Sequence, residues 1–211
     1  MFLLLALAAC GASTPAAVPA PPRPVAASFP DDPRPLPHYH SARMALTLPL
    51  PDGRAWRIDD HSTAELVATH PPTRSRVMVT TFRTEGLVGR SQCEYLARQR
   101  GLVPALDDVK PLEDVTGLTQ ENYDTRTVVA VLAGVGPDQP IVGHVMAFGG
   151  FLRKCFVFDF STEVDAASDE PVLSSRLAFA RARIFGGLAL DPFAAVKREE
   201  PTGPAAAPPV Q

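Results

Sequence analysis

Residues 151–160 read Phe151-Leu152-Arg153-Lys154-Cys155-Phe156-Val157-Phe158-Asp159-Phe160. Successive side chains of a strand point to opposite faces, so Phe156, Phe158 and Phe160 fall on one side and Cys155 and Val157 on the other. A strand that is apolar on both faces needs cover on both. The expected class is therefore α+β: an antiparallel β-sheet of about six to seven strands flanked by two helices, an α/β/α sandwich.

Reading towards the N-terminus, Gly149-Gly150 has the form of a tight turn. The runs IVGHVMAF (141–148) and TRTVVAVLA (125–133) alternate as strands, so the three form a meander. Ser91-Gln92-Cys93-Glu94 has the spacing of a capping box and opens a helix that Gly101 closes. Before it, AELVATH and SRVMVTTF flank Pro71-Pro72-Thr73-Arg74, two strands joined by a turn. In ALTLPLPDGRAWRIDD two short apolar runs surround Asp52-Gly53, a hairpin signal. Towards the C-terminus, an acidic cap with an early proline, Asp169-Glu170-Pro171, starts a last helix, and Gly186-Gly187 ends it. Leu173, Leu177, Ala180, Ile184 and Leu188 form its apolar stripe. Arg176, Arg181 and Arg183 lie off the stripe, where charged side chains ordinarily meet water.

The element order of paired hairpins, helix, meander and long C-terminal helix, opened by LPLPDGRAW, resembles the PsbP/Mog1-like fold. That resemblance implies a domain of about 150 residues of the kind used by binding and assembly factors. It carries no site residues.

Composition sets the boundaries. The chain has 211 residues and a net charge of −3, without a basic run that would recruit nucleic acid. It holds 23 prolines, concentrated at its ends. Residues 1–9 read as a signal peptide: Phe2–Ala9 is apolar but too short to cross a bilayer, which takes about 20 residues. Leu7-Ala8-Ala9-Cys10 resembles the lipobox of bacterial lipoproteins, although no Lys or Arg precedes the apolar run. The resemblance implies cleavage before Cys10, diacylglycerol on its sulfur and an acyl group on its new amino terminus. Several acyl chains hold a protein to a membrane stably. Gly11, where an aspartate would retain a lipoprotein at the inner membrane, points by the same resemblance to the outer membrane. Residues 10–37 read as lipidated cysteine plus a disordered Pro/Ala-rich linker that could extend about 80 Å. A single globular domain, 38–192, and a disordered tail, 193–211, complete the organisation.

Cys93 and Cys155 remain. Cys93 shares a helix face with Leu96, Ala97 and Arg100, and a helix packed on the meander brings it to Cys155, so the expectation is a disulfide in an oxidising compartment. Two separate buried thiols are the alternative. His38 and His40 share a strand face and are weak metal candidates, since zinc takes three or four ligands. His144, inside an apolar strand, reads as a hydrogen-bonded core residue. No Gly-x-Ser-x-Gly elbow, phosphate loop or dinucleotide-binding pattern occurs. Asp59-Asp60 and Asp107-Asp108 read as solvated pairs. The function expected is a membrane-anchored lipoprotein with a non-catalytic binding or assembly domain and no cofactor. It would meet the membrane through its lipid and an envelope protein through its domain, facing the periplasm or cell surface. The alternative is a cell-envelope hydrolase whose site is assembled from residues distant in sequence.

Overall fold

The structure, a computed structural model, describes residues 27–191 apart from residues 31, 120 and 133–138. The expected signal peptide, Cys10, most of the linker and the tail lie outside the described residues. Two short strands come first, β1 (His38–Ser41) and β2 (Leu46–Pro49), then β3 (Arg57–Asp59), β4 (Leu66–His70) and β5 (Ser75–Arg83). Helix α1 (Arg90–Gln99) is followed by β6 (Val109–Leu118), β7 (Asp124–Leu132), β8 (Ile141–Phe151) and β9 (Lys154–Val164). Helix α2 (Glu170–Phe179) continues into a π-helical turn, Ala180–Phe185, and β10 (Ala189–Leu190) is the last strand.

Among the described residues, β3-β4-β5-β9-β8-β7-β6 form one seven-stranded sheet, with antiparallel pairing throughout. β1-β2-β10 form a small second sheet. β9 is central, as its two apolar faces require. Phe156, Phe158 and Phe160 are fully buried in the core under α2, which the small sheet shares through Leu46, Leu48 and Leu190. Burial of each such side chain contributes about 1.5–3 kcal/mol of transfer free energy. Val157, Met146, Phe148 and Val128 face the other way and pack with Ala97 of α1 and Val103 beyond it. The α+β sandwich expected from residues 151–160 is the one observed. Its middle pair, β5 and β9, runs in register from Ser75 opposite Thr162 to Arg83 opposite Lys154.

Local chemistry explains most boundaries. Pro71–Thr73 makes a 3-10 turn and Arg74 takes a left-handed conformation at φ 48°, which closes the β4–β5 hairpin as predicted. Gly101, at φ +67°, ends α1 with paired bonds, Gly101 N–H to Arg98 O and Leu102 N–H to Ala97 O, the Schellman arrangement. The stripe Leu173, Leu177, Ala180, Ile184 and Leu188 is buried along its whole length.

Six local expectations are corrected. Asp52-Gly53 does not join a hairpin: β2 belongs to the small sheet and β3 to the large one, and a 3-10 turn at Gly53–Ala55 carries the chain between them. Ser91 does not cap α1, whose N-cap is Gly89; Glu94 is buried and drawn away by Arg98 at 2.8 Å and Arg126 at 2.5 Å. Gly149-Gly150 lies within β8, and the turn is Leu152-Arg153, with Leu152 at φ 52°. The glycines serve close approach instead. A Cβ on Gly149 would stand 1.9 Å from the Phe156 ring, and one on Gly150 would stand 2.6 Å from the Val88 carbonyl oxygen. The meander has four strands, because β6 precedes the three expected. Arg176 is buried at 2% exposure, donating to the Ala27 carbonyl at 2.8 Å, Thr162 Oγ1 at 3.1 Å and the Glu163 carbonyl at 2.9 Å. Finally, the domain starts before residue 38. The linker's last stretch lies on the domain because Phe29, 8% exposed, enters the α2-side core, while Arg183 donates to the carbonyls of Asp32 and Arg34.

Candidate functional site

The stretch that follows Phe29 forms one wall of a cleft of about 880 Å³. Proline supplies much of that wall: Pro30, Pro35 and Pro37 pre-set φ and lack an N–H to satisfy, so the backbone stays extended without a pairing strand. Leu50, Pro51, Asp52 and Ile58 line the opposite side. The Leu50 N–H donates to the Pro37 carbonyl at 2.8 Å and joins the walls. The Trp56 indole N–H donates to the Pro51 carbonyl at 2.6 Å, which fixes the loop that carries Asp52.

Charge in the cleft is balanced. Asp32 is held down to about 2, first by the Arg34 side chain and then by the Arg34 backbone N–H. Tyr39 donates to Asp60 Oδ2 at 3.1 Å, and burial, reinforced by the Asp60 carboxylate, pushes its phenol up. Asp52 adopts the left-handed conformation and is 58% exposed at the cleft surface.

Behind Asp52 lies a buried polar relay. His70, 3% exposed, packs against the rings of Phe29 and Trp56, with centroids 5.4 and 5.0 Å away, and those two rings stack on each other at 6.3 Å. Its Nδ1 is 2.8 Å from Thr73 Oγ1, which donates to Ser75 Oγ at 2.8 Å. Ser75 donates to Thr162 Oγ1 at 2.9 Å, and that oxygen also receives Arg176. His70 Nε2 has no hydrogen-bond partner among the described residues, and Asp52 Oδ2 stands 3.8 Å away. Burial, with Arg176 adding to it, lowers the His70 pKa, while Asp52 pulls the other way. Acid, imidazole and hydroxyl follow one another here, yet the Thr73 hydroxyl belongs to a residue 1% exposed and faces the interior.

Sequence candidates scatter. His38 lines the cleft, whereas His40 lines a depression beside β2 and β10 and meets Thr47 Oγ1 at 3.3 Å. Among the described residues no three His, Cys, Asp or Glu side chains gather as a metal site. His144 is a core residue, its Nδ1 2.9 Å from Asp159 Oδ1 across β8 and β9. The Asp59-Asp60 pair is divided in role: Asp59 accepts the backbone N–H groups of His61 and Ser62, while Asp60 is buried and paired with Arg43 at 3.1 Å. Cys93 and Cys155 form a disulfide between α1 and β9, with Cα atoms 5.5 Å apart and both residues fully buried. Missed altogether was the cluster Phe29, Asp52, Trp56 and His70. One signal existed: Phe29 is the one aromatic residue between Gly11 and Pro37.

No protein-family model matches the chain, and no curated protein matches it in sequence. Among solved structures, the Saccharomyces cerevisiae Ran-binding protein Mog1p superposes with a TM-score of 0.50 at 8% identity. The match covers 73% of this chain and 94% of that one. At that identity the likeness shows architecture alone: a seven-stranded antiparallel sheet, a small second sheet and two packed helices, the Mog1-like fold.

Proposed function

We propose that this protein is a lipid-anchored, non-catalytic binding or assembly module of a bacterial envelope, tethered through Cys10 and holding an envelope protein in the proline-walled cleft. The observation that carries the reading is the cleft itself: about 880 Å³, walled by the chain that leads directly from the linker. Apolar surface rimmed by polar residues marks protein–protein interaction sites and ligand-binding grooves. Here prolines, Leu36, Leu50 and Ile58 are the apolar groups, and Asp32, Arg34, Asp52, Arg54, Tyr39 and His38 the polar ones. The buried disulfide supports export, since such bonds persist in oxidising compartments.

Two measurements on the full chain in a bacterial host test it. Mass spectrometry of membrane-extracted protein is expected to find Cys10 as the first residue, carrying diacylglycerol and an acyl group, with Cys10→Ser released from the membrane. A photo-crosslinker at Leu36 is expected to capture an envelope protein, and one at Tyr95 on the outer side of α1 is not. A product with the mass of the bare polypeptide overturns the anchoring. Equal capture from both positions overturns the cleft.

A further inference from the structure

Residues 27–37 lie on the domain the way a bound peptide does. Among the described residues of this stretch, Phe29 is the one that is buried. Its ring meets those of Trp56, His70, Phe160 and Phe179 at centroid distances of 5.1–6.3 Å. Among the described residues, every hydrogen bond that the rest of the domain gives to the stretch ends on a main-chain carbonyl. Arg176 donates to Ala27, Arg183 to Asp32 and Arg34, and the Leu50 N–H to Pro37. The charged side chains of the stretch, Asp32 and Arg34, pair with each other, and that of Arg34 is 84% exposed.

Proline explains the match. Pro30, Pro33, Pro35 and Pro37 have no N–H, so the stretch presents mainly acceptors, and the groove beneath it presents donors. Gly53 admits this backbone: a Cβ there would stand 3.2 Å from Pro37 Cβ. The donor side is built independently of the stretch. Arg176, 2% exposed, is also held by Thr162 Oγ1 and the Glu163 carbonyl. What the groove reads is therefore one aromatic ring and a run of carbonyls. Any extended segment with an aromatic residue followed by spaced prolines presents the same groups, at a low ordering cost because proline pre-sets its backbone.

We propose that this groove recognises an aromatic-then-proline segment of a partner protein, and that residues 27–37 occupy it in cis as a competitor which the partner displaces. The contact is autoinhibitory. A segment attached through a short flexible chain has an effective concentration in the millimolar range, so a free segment enters only against that competition. The groove lies beneath the stretch and is separate from the cleft beside it. The proposal rests on neither the tether nor the cleft.

The test reads Trp56, the chain's single tryptophan, which stacks on Phe29. Its emission, with calorimetry alongside, follows titration of the full chain, native and Phe29→Ala. The probe is the blocked peptide Ala-Ser-Phe-Pro-Asp-Asp-Pro-Arg-Pro-Leu-Pro, the sequence of residues 27–37. One control peptide has Ala for Phe, and the other has Ser for every Asp and Arg. Phe29→Ala is expected to bind the probe, and the native chain to bind it about tenfold to a hundredfold more weakly. Ala for Phe is expected to weaken binding to Phe29→Ala about tenfold or more. Ser for the charged residues is expected to change it by less than about threefold, because exposed pairs contribute little. If Phe29→Ala fails to fold, recovery of cooperative unfolding with the probe and not with the Ala peptide is the expected result. Equal affinity for the Phe and Ala peptides overturns the proposal. So does a native chain that shows no binding at about 5 mM probe, since the segment then never vacates the groove. Loss of binding with the Ser peptide overturns it too, because the groove would then fit its own segment alone. Dimerisation of the native chain that Phe29→Ala abolishes also overturns it, since a second copy would then be the occupant.

Discussion

His70 shows how much one side chain depends on groups far from it in sequence. It ends β4, just before Pro71, and there it could pass for a turn residue. What helps bury it is the stacked pair Phe29 and Trp56, both within 5.4 Å of its ring. Arg176 sits at the far end of its relay, and Asp52 stands before Nε2. Burial lowers its pKa below the ordinary 6.5. The unfolded chain therefore binds the His70 proton at a higher pH than the folded chain does. Stability from this group is complete above about 6.5 and is lost as pH falls from there through the lower folded value. Urea midpoints measured from pH 7.5 down to about 5.5 are expected to decline in the native protein and to be flatter in His70→Gln, which keeps a hydrogen-bonding group towards Thr73. An unchanged slope in the variant would assign the acid sensitivity to other groups. None of this was legible in the sequence, because the cause of the burial lies in a stretch that composition marks as linker.

Elements were legible where their patterns were two-sided or strictly periodic. The strand at 154–164 and the stripe from Leu173 to Leu188 are such cases, and both are buried as read. Misreadings arose where one residue type serves two purposes. Gly149-Gly150 reads as a turn, but the pair makes room for Phe156 and for the Val88–Gly89 backbone. Ser91 and Glu94 have capping spacing, but two arginines hold Glu94. β6 escaped notice since its nearly uniform exposure leaves no alternation to detect. The link between α1 and β9, by contrast, followed from Cys93 sharing a face with Ala97, and the disulfide closes 62 residues of chain. In the chain-entropy account a loop of that size is worth about 4 kcal/mol. Replacing both cysteines by alanine is expected to cost about that much in a denaturant titration, and reductant is expected to destabilise the native protein but not the variant.

The whole domain begins earlier than its composition implies. From Ala27 onward the described chain is held by Phe29, by Arg176 and by Arg183, so this part of the proline-rich stretch belongs to the domain as a wall. Phe29→Ala removes a core aromatic and is expected to cost about 3–5 kcal/mol. Against a total of roughly 5–15 kcal/mol that is a large fraction. A chain starting at residue 38 is expected to lose at least as much as the alanine variant, measured by urea unfolding beside a chain starting at residue 27. Equal stability of the two chains would return residues 27–37 to the linker.

The central pair of the sheet has a kinetic consequence. β5 and β9 lie side by side, yet α1 and three strands separate them along the chain. Native topologies rich in such distant pairings form slowly, because closing the intervening segment costs entropy before any contact rewards it. With Cys93 bonded to Cys155 of β9, only residues 84–92 separate the end of β5 from the link, so the slowest search becomes nearly local. The oxidised chain is expected to refold faster than the reduced one, which stopped-flow refolding with and without reductant measures.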